Sequence, residues 1–145
     1  MAIDCVTGGY APFQGFDITT NFHEYLKVFD ELSRYDFTTL VGGHLTDTGT
    51  KQDVEITKEF TMDVYRTVKH IHNTIDQNVL VAEAAKTVGT DNEFLLFKVI
   101  LDRVTYDAMK ELRPRWINRL AGVDVWLESQ IRCALVYVRW DDKVK

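Results

Sequence analysis

Apolar residues recur at steps of three and four along most of the chain, and this spacing predicts a mostly helical protein. The clearest case runs from Ile56 to Ile75, where one face of a long helix is apolar. Thr50 precedes this helix and Asp53 follows three residues later, a pairing that predicts a capping box at the helix start. The spacing predicts further helices over residues 20–34, 76–88 and 91–113.

Residues that favour helix ends mark the limits of these segments. Asp91 is a candidate N-cap, and Gly89 suits the C-terminal end of the preceding helix. Pro114 disfavours helical geometry at the residue before it, so we expect the helix that Asp91 begins to end at Arg113.

The last apolar block, Val123 to Trp140, fits two structures. A helix capped by Asp124 accounts for the spacing of its apolar residues, whereas the composition of Cys133 to Val138 also suits a strand. We favour the helix, because a strand so late in the chain needs a partner that the rest of the sequence does not offer.

Two short apolar runs, Ile3 to Val6 and Phe37 to Val41, predict β-strands, and each is followed closely by a pair of glycines. Asp4 lies within the first run, and His44 follows the glycines after the second. The predicted fold class is therefore α+β, mostly α with two short β-strands, in a helical bundle-like domain. In open α/β sheets, polar side chains at strand ends are where ligands bind, so His44 is the leading candidate for a functional residue.

Length and composition indicate one soluble domain covering residues 1–145. Apolar residues make up 46% of the chain and charged residues 27%, which is typical of a globular protein. The net charge of −5, with no stripe of Lys and Arg, argues against nucleic-acid binding. No apolar run is long enough to cross a membrane and no signal-peptide pattern begins the chain, so we expect a cytoplasmic protein without membrane contact.

Several familiar site patterns are absent from the sequence. There is no G-x-S-x-G, no P-loop and no G-x-G-x-x-G after a strand. Cys5 and Cys133 are far apart and predict neither a disulfide framework nor a zinc ribbon. His70 and His72, two residues apart on a helix, point ~200° away from each other and cannot chelate one ion together. We expect both to lie on the surface.

The remaining candidate chemistry is a pair of metal-type ligands. Asp4 and His44 each lie near the end of a predicted strand, and a carboxylate with an imidazole suits zinc. Tyr10 and Phe13, in the loop after the first strand, are candidate pocket-lining residues beside His44. None of these residues is assigned a catalytic role.

Three segments together resemble a known family. Residues 4–13 (DCVTGGYAPF), 35–44 (YDFTTLVGGH) and 49–55 (GTKQDVE) are similar to the C-terminal half of metallo-β-lactamase-fold hydrolases. The likeness is specific over residues 1–75 and looser over 76–140, which resembles a helical extension. By this resemblance the chain derives from half of an αββα sandwich, Asp4 matches the carboxylate that bridges two metal ions, and His44 matches the last histidine ligand of the second metal.

The resemblance also implies what the chain lacks. The H-x-H-x-D-H ligand cluster of that family belongs to its N-terminal half, and this sequence does not contain it. A catalytic zinc site needs three protein ligands and a water molecule, so we expect no hydrolysis by this chain alone. The missing half also covers the sheet in that family, and without it we expect self-association as a homodimer or higher homo-oligomer.

Three functions therefore stay open. The first is a self-associating, non-catalytic helical protein. The second is a zinc-dependent hydrolase whose site is completed by another chain that supplies the missing N-terminal half. The third is a small-molecule binding module that uses the pocket near Tyr10, Phe13 and His44.

Overall fold

The computed structural model describes residues 4–44 and 48–142, and over these residues the chain is mostly helical with two short antiparallel strands, as the hydrophobic pattern predicts. The elements in chain order are α1 (Gln14–Ile18), α2 (Phe22–Ser33), β1 (Leu40–Val41), β2 (Thr48–Gly49), α3 (Lys51–Thr74), α4 (Gln77–Val88), α5 (Glu93–Trp116) and α6 (Val123–Trp140).

The longest predicted helix and its start are confirmed. Thr50 and Asp53 form the capping box at the beginning of α3, with Asp53 Oδ2 accepting the Thr50 backbone N–H at 2.7 Å. The capped end satisfies backbone donors that would otherwise lack partners. Phe60, Val64 and Val68 on the predicted apolar face are fully buried.

The ambiguous block at residues 123–140 is a helix, α6, which confirms the favoured interpretation. Its predicted cap is wrong, because Gly122, in the left-handed conformation with φ 75°, occupies the N-cap position and Asp124 lies in the first turn. Asp124 in that turn still has a favourable interaction with the helix dipole.

Two boundaries of α5 differ from the prediction. Asn92, not Asp91, caps the helix, and its side chain accepts the Leu95 N–H at 2.9 Å. The helix also continues past Pro114 to Trp116. The Ile117 N–H still reaches the Arg113 carbonyl at 3.0 Å, and the Trp116 side chain is only 1% exposed, so burial of the indole holds a last turn that the proline alone would disfavour.

Of the two predicted strands, one is shorter than expected and the other does not form over the residues described. Of Phe37 to Val41, only Leu40–Val41 forms a strand, paired antiparallel with Thr48–Gly49. Of Ile3 to Val6, Ile3 lies outside the described residues, and Asp4 to Val6 form no strand. Asp4 has φ 62°, a left-handed conformation that interrupts any strand there.

The core lies between α3, α5 and α6, which pack pairwise against one another. On this group, α2 packs against α3 and α6, α1 against α6, and α4 against α5. One cluster of buried apolar side chains extends from Val6 to Val138. Among the described helices, none is both long and apolar enough to cross a membrane.

Candidate functional site

Asp4 and His44 meet because two backbone segments approach each other closely. The Asp4 N–H donates to the Gly42 carbonyl at 3.1 Å. A Cβ on Gly42 would lie only 2.4 Å from the Val6 carbonyl oxygen, so only glycine allows this approach. As a result His44 Nε2 contacts Asp4 Oδ1, with each side chain 48% exposed.

Aromatic rings form one wall beside this pair. The Phe13 ring meets His44 edge-on with centroids 5.1 Å apart, and meets Trp126 in a similar arrangement at 6.1 Å. Gln130 fixes the segment before Phe13, because its Nε2 donates a hydrogen bond to the Pro12 carbonyl. Gln130 is fully buried, and within the described residues its Oε1 has no hydrogen-bond partner.

The other wall is α1, which is a left-handed turn. Gly15, Phe16, Asp17 and Ile18 all have φ between 56° and 59°. Such a conformation costs about 1–2 kcal/mol for each residue that carries a Cβ. Long-range contacts offset this cost, since the Gly15 N–H donates to Ser129 Oγ at 3.0 Å and the Phe16 side chain is fully buried.

Asp17 points its carboxylate into this turn and towards the site. Its Oδ1 accepts the Phe13 N–H at 3.2 Å and its Oδ2 accepts the Tyr25 hydroxyl at 3.4 Å. The pKa of Asp17 is raised from 3.8 to about 6. Burial is the main cause and the Asp4 carboxylate adds to it, whereas the two hydrogen bonds and the nearby His44 act in the opposite direction.

These elements enclose a groove of about 480 Å³. Its lining combines two carboxylates, one imidazole and apolar or aromatic side chains: Asp4, Phe13, Gln14, Asp17, Ile18, His44 and Trp126. An open depression with apolar walls and a few convergent polar groups is the usual form of a ligand-binding site.

No family model, curated protein or solved structure matches the chain.

The structure brings together three of the four residues that the sequence nominated. Asp4, Phe13 and His44 share the groove, whereas Tyr10 lies apart in an isolated parallel bridge with Ala121.

The two histidines of α3 differ in exposure. His70 is exposed as expected, but His72 is buried at 8% exposure, so placing it on the surface was wrong. It belongs to the buried residues of α3, next to Ile71.

Sequence reasoning missed Asp17 and Trp126 as site residues. Trp126 fits the apolar spacing of α6, and this spacing gives no sign that the ring also faces a groove. Asp17 is brought to the site by a left-handed turn with only one glycine, so local sequence carries no signal for it. Both positions depend on contacts between distant parts of the chain: Ser129 holds the turn that carries Asp17, and the Trp126 ring meets that of Phe13.

The side chains at the site are of the types that bind metal ions, but there are too few of them. Carboxylate and imidazole are both common zinc ligands. Across residues 4–44 and 48–142, however, no group of three or more His, Cys, Asp or Glu side chains is arranged to hold an ion. Two ligands from this chain do not make a catalytic zinc site.

Proposed function

We propose that this chain is a self-associating helical protein that carries one corner of a metallohydrolase-like site and does not hydrolyse substrates alone. The observation that supports the proposal is the contact between Asp4 and His44 at the mouth of the groove. The resemblance to metallo-β-lactamase-fold hydrolases nominated this pair as metal ligands, and the two residues lie 40 positions apart in the sequence.

Exposure of the pair supports a role as an incomplete site. Each side chain is about half exposed, so further ligands from outside residues 1–145 have room to approach. A purely structural ion pair at this exposure contributes little to stability. The alternative within this proposal is a zinc-dependent hydrolase whose remaining ligands come from another chain.

Zinc titration tests the metal part of the proposal. We expect weak binding by the purified chain, followed by the imidazole NMR signals of its four histidines, with His44 perturbed first. Asp4→Ala and His44→Ala should each abolish the response, while His70→Ala, at an exposed position on α3, should leave it unchanged. A zinc response that persists in His44→Ala would overturn the assignment.

A hydrolysis assay tests the catalytic part. With zinc present, the wild-type chain and His44→Ala should cleave ester, lactam and thioester substrates at the same background rate. A rate that depends on His44 in the chain alone would contradict the proposal. A rate that appears only after a polypeptide with the H-x-H-x-D-H cluster is added would favour the alternative.

A further inference from the structure

The surface formed by α4 and the first part of α5, residues 77–103, is apolar and poorly covered by the rest of the chain. We call this surface the tip. Eleven Val, Leu, Ile and Phe residues lie in α4 and in the first part of α5, over residues 77–103. None of them is buried, and neither helix buries any side chain before Val104. Phe94 is 88% exposed, Val79 53% and Val88 44%.

The lack of cover follows from the length of α3. Its Phe60 packs edge-on against Trp116 of α5 at 5.1 Å between centroids. The two helices run in opposite directions, because Glu59 pairs with Arg119 whereas Thr67, later in α3, bonds Arg115, earlier in the chain. Because α3 ends at Thr74, about 14 residues beyond Phe60, it accompanies α5 only back to about residue 102 at equal rise per residue. The first turns of α5 therefore extend past the end of α3.

Other elements cover this extension only in part. The Arg139 guanidinium of α6 lies over the Phe97 ring at 4.3 Å, and Phe97 is still 39% exposed. The helix α4 also packs against α5, and it has no buried residue of its own. Several large apolar side chains exposed on one pair of packed helices are typical of an interaction site.

We propose that a second copy of this chain covers the tip, through a two-fold interface formed by α4 and residues 93–103 of α5. This inference rests on the self-association proposed above. The 12 residues of α4 span ~18 Å and the unburied start of α5 spans about the same length. Two such hairpins of matched length form the two layers of a four-helix bundle, and an identical copy supplies the second layer.

The charges at the tip are those of a self-complementary surface. Within residues 77–103, Lys98 already pairs with Asp102 and Arg103 with Asp107. The charged residues left for contacts with another molecule are the base Lys86 and the acids Glu83, Asp91 and Glu93. Over the described part of the chain, Lys86 and Glu93 form no ion pair, and both are exposed. In a two-fold interface every cross-pair of acid and base occurs twice, so a contact between Lys86 of one copy and Glu93 of the other would form two equivalent ion pairs.

Sedimentation velocity over a range of protein concentrations tests the interface. We expect the wild-type chain to dimerise, and Val88→Asp and Phe94→Asp each to raise the dimer dissociation constant at least tenfold. Val125→Asp is the matched control, because Val125 is 62% exposed on α6. Circular dichroism verifies that all three variants are folded.

The outcomes separate the two proposals. A wild-type chain that stays monomeric at every concentration overturns both self-association and this interface. A wild-type dimer that Val88→Asp and Phe94→Asp weaken no more than Val125→Asp does overturns the interface and leaves self-association standing.

Discussion

Trp116 donates its indole N–H to Asp63 Oδ2 at 2.7 Å and so ties α5 to α3 beside the buried Phe60 ring. The other oxygen of the same carboxylate accepts from Arg115 at 2.8 Å. This carboxylate is difficult to replace, because its removal leaves the buried indole N–H without a partner, whereas Arg115 keeps its bonds to the Glu111 carbonyl and the Thr67 hydroxyl.

We therefore expect Asp63→Ala to lower the free energy of unfolding by about 2–3 kcal/mol, since it leaves a buried donor unsatisfied. Glu59→Ala is the matched control on the same helix. Glu59 pairs with Arg119 in an exposed position, so its loss should cost no more than about 1 kcal/mol. Urea unfolding followed by circular dichroism measures both, and equal losses would contradict the role given to the indole bond.

Ionisation of Asp17 should make stability depend on pH between about 4 and 6. Its pKa in the folded protein is raised from 3.8 to about 6, mainly by burial. A raised carboxyl pKa means that the folded state holds the proton more tightly than the unfolded state does. The stabilisation is fully present below the unfolded pKa and is lost as pH rises through the folded pKa.

Because Asp17 is only partly buried, solvent screening reduces this loss to about 1–2 kcal/mol, less than the full shift would give. Asp17→Asn should remove it. Asp36→Asn, at a fully exposed side chain, should leave the pH profile of the wild type unchanged. Chemical unfolding at a series of pH values measures the effect. A slope between pH 4 and 6 that survives in Asp17→Asn would assign the dependence to another group.

Gly42→Ala should disrupt the site as well as the fold. The new Cβ would meet the Val6 carbonyl at 2.4 Å, and such overpacking against backbone costs about 1–3 kcal/mol. Gly49→Ala, in the paired strand, meets its nearest atom at 3.4 Å and should be tolerated better. Only Gly42→Ala should shift the His44 imidazole NMR signals, and identical spectra would contradict the close approach of the two segments.

Ile18→Gly should stabilise the protein. Ile18 is β-branched, has φ 58° and is 77% exposed. Glycine there relieves about 1–2 kcal/mol of strain, which exceeds the roughly 0.5–1 kcal/mol of extra backbone entropy that glycine loses on folding. The same change at Val136, 57% exposed within α6, should destabilise by up to about 1 kcal/mol. Thermal unfolding shows whether each substitution raises or lowers the melting temperature. A lower melting temperature for Ile18→Gly would contradict the strained turn.

Much of the helical architecture could be predicted from the sequence, because local rules determine it. Apolar spacing sufficed for α2, α3 and α6, and the Thr50 and Asp53 pair located the start of α3. Pro114 misled the prediction, since the local preference against helix at Arg113 was outweighed by burial of Trp116 two residues later. Tertiary packing of this kind is not visible in a single segment.

The candidate site was predictable only in part. Asp4 and His44 could be nominated from short apolar runs that end in glycines, and the structure places them in contact. Their role as metal ligands stays a prediction. The left-handed turn that brings Asp17 to the groove depends on Ser129 and Tyr25, and no local pattern around Phe16 indicates it.

The three tryptophans lie in three different environments. Trp116 is buried against α3, Trp126 lines the groove beside His44, and Trp140 at the end of α6 is 64% exposed. Each indole therefore senses a different region of the protein. Emission from Trp126 reports on occupancy of the groove, that from Trp140 on events near the tip, and that from Trp116 on the integrity of the core, so single-tryptophan variants can follow each region without an added label.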